Sequence, residues 1–288
     1  MKTSTRMRTM TWRLWVAYRG EHFCGFQQQR SKRTVQGVLQ EALARLAHEA
    51  VTVEAAGRTD AGVHAWAQAV SCRMRTRLTA RRLVLALSHL LPHDVTVWRA
   101  DEMPDAFHAR KHSIGKQYVY RIEQTLAPCL FDAWPALRLL RPLDIAPMQQ
   151  AAQQLVGDHD FSSFRSAHCT ASHARRYLWQ VALQCQQNGI AIDVRGNAFC
   201  HNMVRIVVGT LLQVGAGKLA AQQMRTIMQA RCRQSAGPTA PACGLTLQQV
   251  YYPDNLCEAA IAPDACFPRY PVTPQTWPAG PIRIGPVV

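Results

Sequence analysis

Long apolar runs are missing from this sequence of 288 residues. A membrane-spanning helix needs about 20 consecutive apolar residues, but the most apolar segment, MVRIVVGTLLQVGAG, is interrupted by Arg205 and Gln213. The first 20 residues carry positive charge without the apolar core of a secretion signal. These absences argue against a membrane or secreted protein, and we expect a cytoplasmic protein with no membrane association.

Paired-cysteine motifs are also missing. The ten cysteines are scattered, and no two of them stand three residues apart, which excludes zinc-ribbon and thioredoxin-type motifs. His168, Cys169 and His173 have metal-ligand side chains at close spacing but lack a fourth ligand, so loop and core positions explain them better. We therefore expect no bound metal and no cofactor.

Acidic residues are scarce, with 18 Asp and Glu against 33 Lys and Arg and a net charge of +15. There are 16 basic and 9 acidic side chains in residues 1–108, 15 and 6 in 109–252, and 2 and 3 in 253–288. A balanced surface would solvate the protein equally well. The excess therefore favours a polyanionic partner. We expect this partner to be nucleic acid, bound by residues 1–108 and 109–252 but not by 253–288.

Hydrophobic periodicity divides the chain into two similar halves and a tail. Residues 1–108 predict a strand at 11–18, a helix from Thr34, strands at 51–56 and 66–74, a helix from Thr79 and a strand at 95–100. This order, βαββαβ, is that of the split βαβ or ferredoxin-like unit.

Residues 109–252 predict a second unit of similar order, βαββααβ. Its elements are strands at 117–123, 177–185, 190–195 and 245–251 and helices at 144–155, from Asn202 and from Ala220. We expect an α+β fold whose two sheets join edge to edge, with a cleft between the halves. The tail, 253–288, holds half of the 16 prolines, and we expect it to be peripheral or partly disordered.

Asp60 is the first candidate for chemistry. It lies in Gly57-Arg58-Thr59-Asp60-Ala61-Gly62, between two predicted strands, where a rigid scaffold usually holds functional residues. An Asp in a glycine-flanked loop more often closes a turn with its own side chain. These six residues alone therefore favour a turn over a site.

Arg205 and Tyr118 are the next candidates. Arg205 lies at the edge of the apolar stripe of the helix that begins at Asn202. A partly buried arginine there either pairs with an anion, which can be a counter-ion or a phosphate, or extends along the stripe to reach water. Alternation in GKQYVYRI places Tyr118, Tyr120 and Ile122 on one strand face. Tyr118 either packs in the core or stacks on a nucleobase.

The segment GRTDAGVHA (57–65) resembles the central motif of the TruA-type tRNA pseudouridine synthases. Other blocks resemble the same family in the same order: AYRG, GFQQQ, TVQGVLQEAL, FHAR, QYVYRI, DFSSFR, NAFCHNMVRIVVGTLLQVG and AGPTAPACGLTLQQVYYP. Together they extend from about residue 11 to 253. The chain departs from the usual family residue at five positions, Arg19, Phe26, Lys111, Lys116 and Ala174.

The resemblance implies two ferredoxin-like halves that share one mainly antiparallel sheet, with helices on one side and the active site in the cleft. It implies conversion of uridine to pseudouridine at positions 38, 39 and 40 of the tRNA anticodon arm, without a cofactor, by a homodimer. It also implies a role for five residues. Asp60 is the essential carboxylate, Arg205 pairs with it, Tyr118 and Leu245 lie beside the uracil, and Arg58 holds the displaced base or its pocket.

Two rival functions remain. The stretch RGNAFCHN (195–202) resembles the RNP1 motif of RNA-recognition modules, although Asn202 replaces its closing aromatic. A catalytically inactive RNA-binding protein would explain this stretch together with the basic charge. A metal-dependent nuclease is disfavoured, because the sequence lacks the clustered carboxylates that such sites use.

Overall fold

The first part of the chain folds in the predicted order, βαββαβ. The computed structural model describes residues 7–126, 135–186 and 188–256. The first elements are β1 (Arg8–Tyr18), α1 (Val35–Ala47), β2 (Val53–Ala55), β3 (His64–Thr76), α2 (Ala80–Leu90) and β4 (Val95–Met103).

The second part contains every element that the sequence predicted and two more strands. Its elements are β5 (Gly115–Glu123), β6 (Leu137–Arg138), α3 (Ile145–Gln153), β7 (Gly157–Asp160), β8 (Arg175–Gln186), β9 (Gly189–Gly196), α4 (Met203–Gly215), α5 (Gln223–Ala230) and β10 (Leu245–Tyr251). The unpredicted strands are β6, which has two residues, and β7, whose sequence GDHD has no apolar alternation.

The strands form one sheet in the order β4-β1-β3-β10-β5-β9-β8-β7, with β2 paired to β3 and β6 paired to β5. Its pairings are antiparallel except for two short ones, β10 with β3 and β5 with β6. The predicted α+β class with one large, mainly antiparallel sheet is therefore confirmed. The boundary between two domains near residue 108 stays a prediction, because the sheet runs through both groups of strands.

A second unit of the chain begins at Asp254. Only a short 3₁₀ turn, Asp254–Leu256, belongs to its described part. The prediction of a peripheral or partly disordered tail concerns residues that otherwise lie outside the described ranges.

The core of the first part is built from β1 and α1. Trp12, Leu14 and Val16 alternate along β1 and are all fully buried, as expected for one face of a strand. The helix α1 begins at Thr34, whose hydroxyl accepts a hydrogen bond from the Gly37 amide. It buries apolar residues at helical spacing and packs against β2 and β3.

The centre of the sheet is β5, which pairs with β10 on one side and β9 on the other. All its residues from Gly115 to Ile122 are buried, so both faces are covered and the strand is more enclosed than alternation alone suggested. Helix α4 is also buried nearly all round. No helix in the described ranges is long and apolar enough to cross a membrane.

Candidate active site

Asp60 lies in a tightly held loop between β2 and β3. Its carbonyl accepts a hydrogen bond from the Val63 amide at 3.1 Å, and the Phe26 amide donates to the carbonyl of Thr59 at 3.0 Å. The hydroxyls of Thr59 and Tyr18 are 2.8 Å apart and hydrogen-bonded. Because the backbone of Asp60 closes the turn, its carboxylate is left for contacts with other parts of the molecule.

Glycines shape this loop in different ways. Gly62 has a φ of +78°, which few side-chain-bearing residues adopt. At Gly25, with a φ of +92°, a Cβ would lie only 3.0 Å from the Thr59 carbonyl oxygen. Gly57 does not have a positive φ. It provides space instead, because a Cβ there would lie 2.9 Å from Cε of Lys116.

Arg205 faces Asp60 from α4. The chain enters this helix through Asn202 in the left-handed conformation, with a φ of +60°. The Arg205 Nε donates to the carbonyl of Ala240 at 2.8 Å, and its Nη1 donates to the side-chain oxygen of Asn202 at 3.0 Å. The same Nη1 lies 3.4 Å from Oδ2 of Asp60. Two other contacts thus fix the guanidinium independently of the aspartate.

His201 is a functional candidate that the sequence reasoning missed. Its Nε2 lies 3.2 Å from Oδ1 of Asp60, the carboxylate oxygen that Arg205 does not contact. His201 precedes α4 and stands four residues before Arg205, the spacing at which two side chains reach the same side of a helix. That spacing, read together with the candidacy of Arg205, was the available signal.

The two basic side chains hold Asp60 loosely. Charge-assisted hydrogen bonds between nitrogen and a carboxylate are typically about 2.7–2.9 Å long, whereas these contacts measure 3.2 and 3.4 Å. The side chain of Asp60 keeps 24% of its surface accessible. The site therefore presents an oriented carboxylate whose oxygens are not saturated.

Tyr118 lies on β5 and is buried. Its ring meets that of Phe199 edge to face, with centroids 5.2 Å apart, a favourable aromatic geometry. Burial raises the pKa of the Tyr118 hydroxyl well above its usual value, and the nearby Tyr18 and Asp60 raise it further. A tyrosine hydroxyl is protonated at neutral pH even without this shift, so Tyr118 can donate a hydrogen bond.

The other two candidates have different environments. Arg58 is exposed, and within the described ranges it makes no ion pair. Leu245 begins β10, is 4% exposed and pairs with Tyr120, while Leu247 pairs with Tyr118. Arg58 is thus free to meet a ligand, whereas Leu245 is buried in the sheet beside Tyr120.

The RNP1-like stretch does not form an open aromatic platform. Strand β9 ends at Gly196, and the following Phe199 packs on Tyr118. Arg195 is paired with Asp193 at 2.7 Å. As for metals, the described residues contain no group of three or more His, Cys, Asp or Glu side chains that could hold an ion.

Comparisons with known proteins point to one family. The family model described as "tRNA pseudouridine synthase" matches residues 14–110 and 151–253. The protein named tRNA pseudouridine synthase A from Rhodospirillum centenum is 41% identical over 242 residues, covering 84% of this chain and 99% of the relative. Its namesake from Bacillus pumilus is 39% identical over 242 residues, covering 83% and 98%.

A third relative with the same name, from Moorella thermoacetica, is 42% identical over 241 residues and covers 82% of this chain and 97% of its own. Among solved structures, a chain of a Cbf5-Nop10-Gar1 complex can be aligned, and the alignment covers 82% of this chain and 57% of the other chain. That alignment has a TM-score of 0.33 and 10% identity, values too low to bear on fold or function.

Proposed function

The chain belongs to the tRNA pseudouridine synthase family and is an isomerase of tRNA uridines, and we propose that Asp60 performs the isomerisation at positions 38, 39 and 40 of the anticodon arm. The observation that carries this proposal is the position of Asp60. A fixed loop presents its carboxylate to two basic side chains from the start of another element, 3.2 and 3.4 Å away.

The reaction balances without any other reactant. The bond from uracil N1 to ribose C1′ breaks, the base turns, and a bond forms from C5 to the same C1′. The proton leaves C5, and N1 carries a proton in the product. Since nothing is oxidised, reduced or hydrolysed, the proposed mechanism uses no cofactor.

Asp60 acts as an anion in each route open to it. The carboxylate adds to C6 of the base, adds to C1′ of the ribose, or removes the proton from C2′. Each route needs one oxygen with a free lone pair. The long contacts to Arg205 and His201 and the accessible surface of the side chain support a carboxylate that can approach the substrate.

Arg205 and His201 orient the carboxylate, because each contacts a different oxygen of Asp60. Arg205 keeps its contacts with Ala240 and Asn202 whatever Asp60 does, so its positive charge stays in place as the negative charge moves to the substrate. His201 is more exposed, with 40% of its side-chain surface accessible. We assign Arg205 the larger share of the electrostatic stabilisation.

The uracil must leave the base stack before it can react. Tyr118 provides a wall for the displaced base, and Leu245 belongs to the apolar layer behind it. Because its hydroxyl is protonated at neutral pH, we assign Tyr118 as a hydrogen-bond donor to the base. Water then takes the C5 proton. The exposed Arg58 holds the displaced nucleotide or the RNA around it.

Recognition of three adjacent uridines requires contacts to tRNA shape and phosphates more than to base sequence. The net charge of +15 suits such contacts. The proposal also includes a cytoplasmic homodimer in which one tRNA touches both subunits. Light scattering of the purified chain tests the dimer, and a monomer at micromolar concentration would contradict that part.

Incubation of the purified chain with an unmodified tRNA transcript tests the function. Carbodiimide labelling followed by primer extension should reveal stops at positions 38 to 40 with the wild type and none with Asp60→Asn. Absence of stops with a folded, tRNA-binding wild type would overturn the proposed activity and favour the inactive RNA-binding alternative. Stops at other uridines would overturn only the assigned positions.

A further inference from the structure

Lys116 is a buried cation beside the loop of Asp60. It lies on β5 two residues before Tyr118, so both side chains share one face of the strand. Only 9% of its surface is accessible. A Cβ on Gly57 would lie 2.9 Å from Cε and 3.9 Å from Nζ of Lys116, which places the ammonium group against the first glycine of the loop.

The charges around Lys116 have the same sign as its own. Burial lowers the pKa of Lys116 to about 8, and the charges of Arg110, from the segment before β5, and of Arg176, from β8, contribute to that lowering. Within the described ranges no carboxylate pairs with Lys116. A buried ammonium without a partner is costly, so the free protein holds this charge against an energetic penalty.

Arg176 adds a second cation with unused hydrogen-bonding capacity. It is also 9% exposed. Its Nη1 donates to the carbonyl of Arg175 at 2.6 Å and lies 3.2 Å from Nδ1 of His173. Its Nε is buried and has no hydrogen-bond partner in the described part of the chain. Arg176 and Lys116 are thus two nine-tenths-buried cations close enough for their charges to interact, and Arg176 has a donor to spare.

A phosphate group would satisfy both cations. An anion with several acceptor oxygens cancels the mutual repulsion and accepts from the free ammonium and guanidinium donors. Residues two apart on a strand are about 6.6 Å from each other, which is within the span of one nucleotide from base to backbone. With the uracil against Tyr118, the RNA backbone passes close to Lys116.

We propose that Lys116, with Arg176 and Arg110, forms a phosphate-binding site for the RNA strand that carries the target uridine. This inference rests on the proposed function, because it needs the displaced base beside Tyr118. Lys116 is then a positioning residue that fixes the backbone next to the reacting nucleotide. Its buried, unpaired charge is retained in the free protein because the substrate supplies the counter-ion.

The first test measures tRNA affinity against salt in the Asp60→Asn background, where no turnover occurs. Lys116→Gln should weaken binding about 5- to 30-fold and reduce the slope of log K against log salt by about 0.7, the share of one single-stranded phosphate. Lys116→Arg, the matched control, should keep the slope. An unchanged slope in Lys116→Gln would overturn the proposal.

The second test identifies the phosphate. Anticodon stem-loops with a single neutral methylphosphonate, moved one position at a time around the target uridine, are titrated against wild type and Lys116→Gln. At one position the neutral linkage should weaken wild-type binding several-fold and have no further effect on the variant. Fully additive losses at every position would contradict the phosphate contact.

A third readout separates this role from a purely structural one. Wild-type affinity for tRNA should decline as the pH rises from 7 to 9, because Lys116 loses its proton in the free protein near pH 8. Lys116→Arg should abolish this decline. Lys116→Met should raise the Tm of the free protein at pH 7, since it removes a buried unpaired charge. If Lys116→Met lowered the Tm, and Lys116→Arg kept the same pH dependence of affinity as the wild type, Lys116 would serve the fold alone.

The two proposals fail in different ways. A wild-type chain that binds tRNA through Lys116 but makes no pseudouridine would overturn the proposed function and leave the phosphate contact standing. Suppose instead that Asp60→Asn abolishes activity, while Lys116→Gln changes neither the salt slope nor the methylphosphonate pattern. The proposed function would then stand, and the phosphate contact would be overturned.

Discussion

Asp60 and Asp94 both lie just before a strand, and both are held by arginine. Asp94 precedes β4 and forms a two-pronged pair with Arg33, with both contacts at 2.8 Å. Its side chain is 5% exposed, and the hydrogen bonds to Arg33 lower its pKa. Asp60 is 24% exposed, and two different side chains contact it at 3.2 and 3.4 Å.

The difference distinguishes a carboxylate built for the fold from one left for chemistry. One guanidinium fork satisfies both oxygens of Asp94, which also ties the segment before α1 to the start of β4. The contacts of Asp60 are divided between two side chains and leave each oxygen with free capacity. Of these two aspartates, only Asp60 therefore has a carboxylate that is oriented but still free to form further hydrogen bonds.

The largest predicted effect separates the two aspartates by activity. Asp60→Asn should reduce pseudouridine formation by at least about 10³-fold, because it removes the reacting group. Asp94→Asn should leave the rate within about twofold at a temperature where both variants are folded. Single-turnover measurement with a tRNA transcript compares them. Near-wild-type rates in Asp60→Asn would remove the distinction altogether.

The next effect sharpens the roles of the two partners of Asp60. Arg205→Gln should reduce the chemical rate about 10²-fold, the typical result of removing one preorganised charge-stabilising donor. His201→Gln should reduce it roughly tenfold, equivalent to one hydrogen bond to a charged group. The exposed His168 provides the matched control, since His168→Gln should have no effect. A greater loss in His201→Gln than in Arg205→Gln would invert the assignment.

Stability should respond in the opposite order. Asp94→Asn should lower the free energy of unfolding by about 1–2 kcal/mol, because it weakens a charge-assisted pair with an exposed partner, and should lower the Tm by a few degrees. Asp60→Asn should leave the Tm nearly unchanged. Thermal unfolding at pH 7 compares the two, and an equal loss in both variants would contradict the comparison.

The pH dependence of stability isolates Asp94. Its folded-state pKa is lower than that of an unfolded aspartate, which is about 3.9. The stabilisation by its charge is therefore complete above about pH 4 and is lost as the pH falls through the folded-state pKa. Wild type and Asp94→Asn should thus converge in Tm as the pH is lowered toward 2. A constant difference would show that packing, not charge, matters at this position.

The smallest effects concern surface arginines. Arg81 and Arg82 lie exposed on α2 and make no ion pair in the described ranges, whereas Arg45 on α1 pairs with Glu41 at 2.6 Å. Replacing Arg81 and Arg82 together by Ala should weaken tRNA binding a few-fold and reduce its salt slope. Arg45→Ala should change neither. An unaltered slope in the double variant would indicate that this face points away from the RNA.

Most of the fold could be predicted because its elements follow the simple periods of apolar side chains. Strand β1 and helix α1 are examples, each with a buried stripe at the expected spacing. Strand β7 could not be found in this way. Its four residues are polar or glycine, and its position depends on pairing with β8 and on charge contacts such as Asp158 with Arg175.

The site was less accessible to sequence reasoning, because its members are brought together by tertiary structure. The apolar stripe of α4 indicated that Arg205 needs an anion, but Asp60 is 145 positions away and only the family resemblance joined them. His201 lies in the loop before the helix, outside the apolar stripe of α4, so only its four-residue spacing from Arg205 indicated it. Alternation along β5 places Lys116 on the face of Tyr118, but its neighbours Gly57, Arg110 and Arg176 come from three separate segments.

The central place of β10 in the sheet has a consequence for biosynthesis. Of the ten strands in the described ranges this one leaves the ribosome last, yet it separates β3 from β5 and pairs with both. Chains grow at roughly 5–20 residues per second, so the edges of β3 and β5 wait on the order of ten seconds for their common neighbour. Until then the carboxylate and its basic partners belong to unjoined pieces of chain. The growing polypeptide thus has no assembled pocket to offer to the tRNAs that crowd around the ribosome.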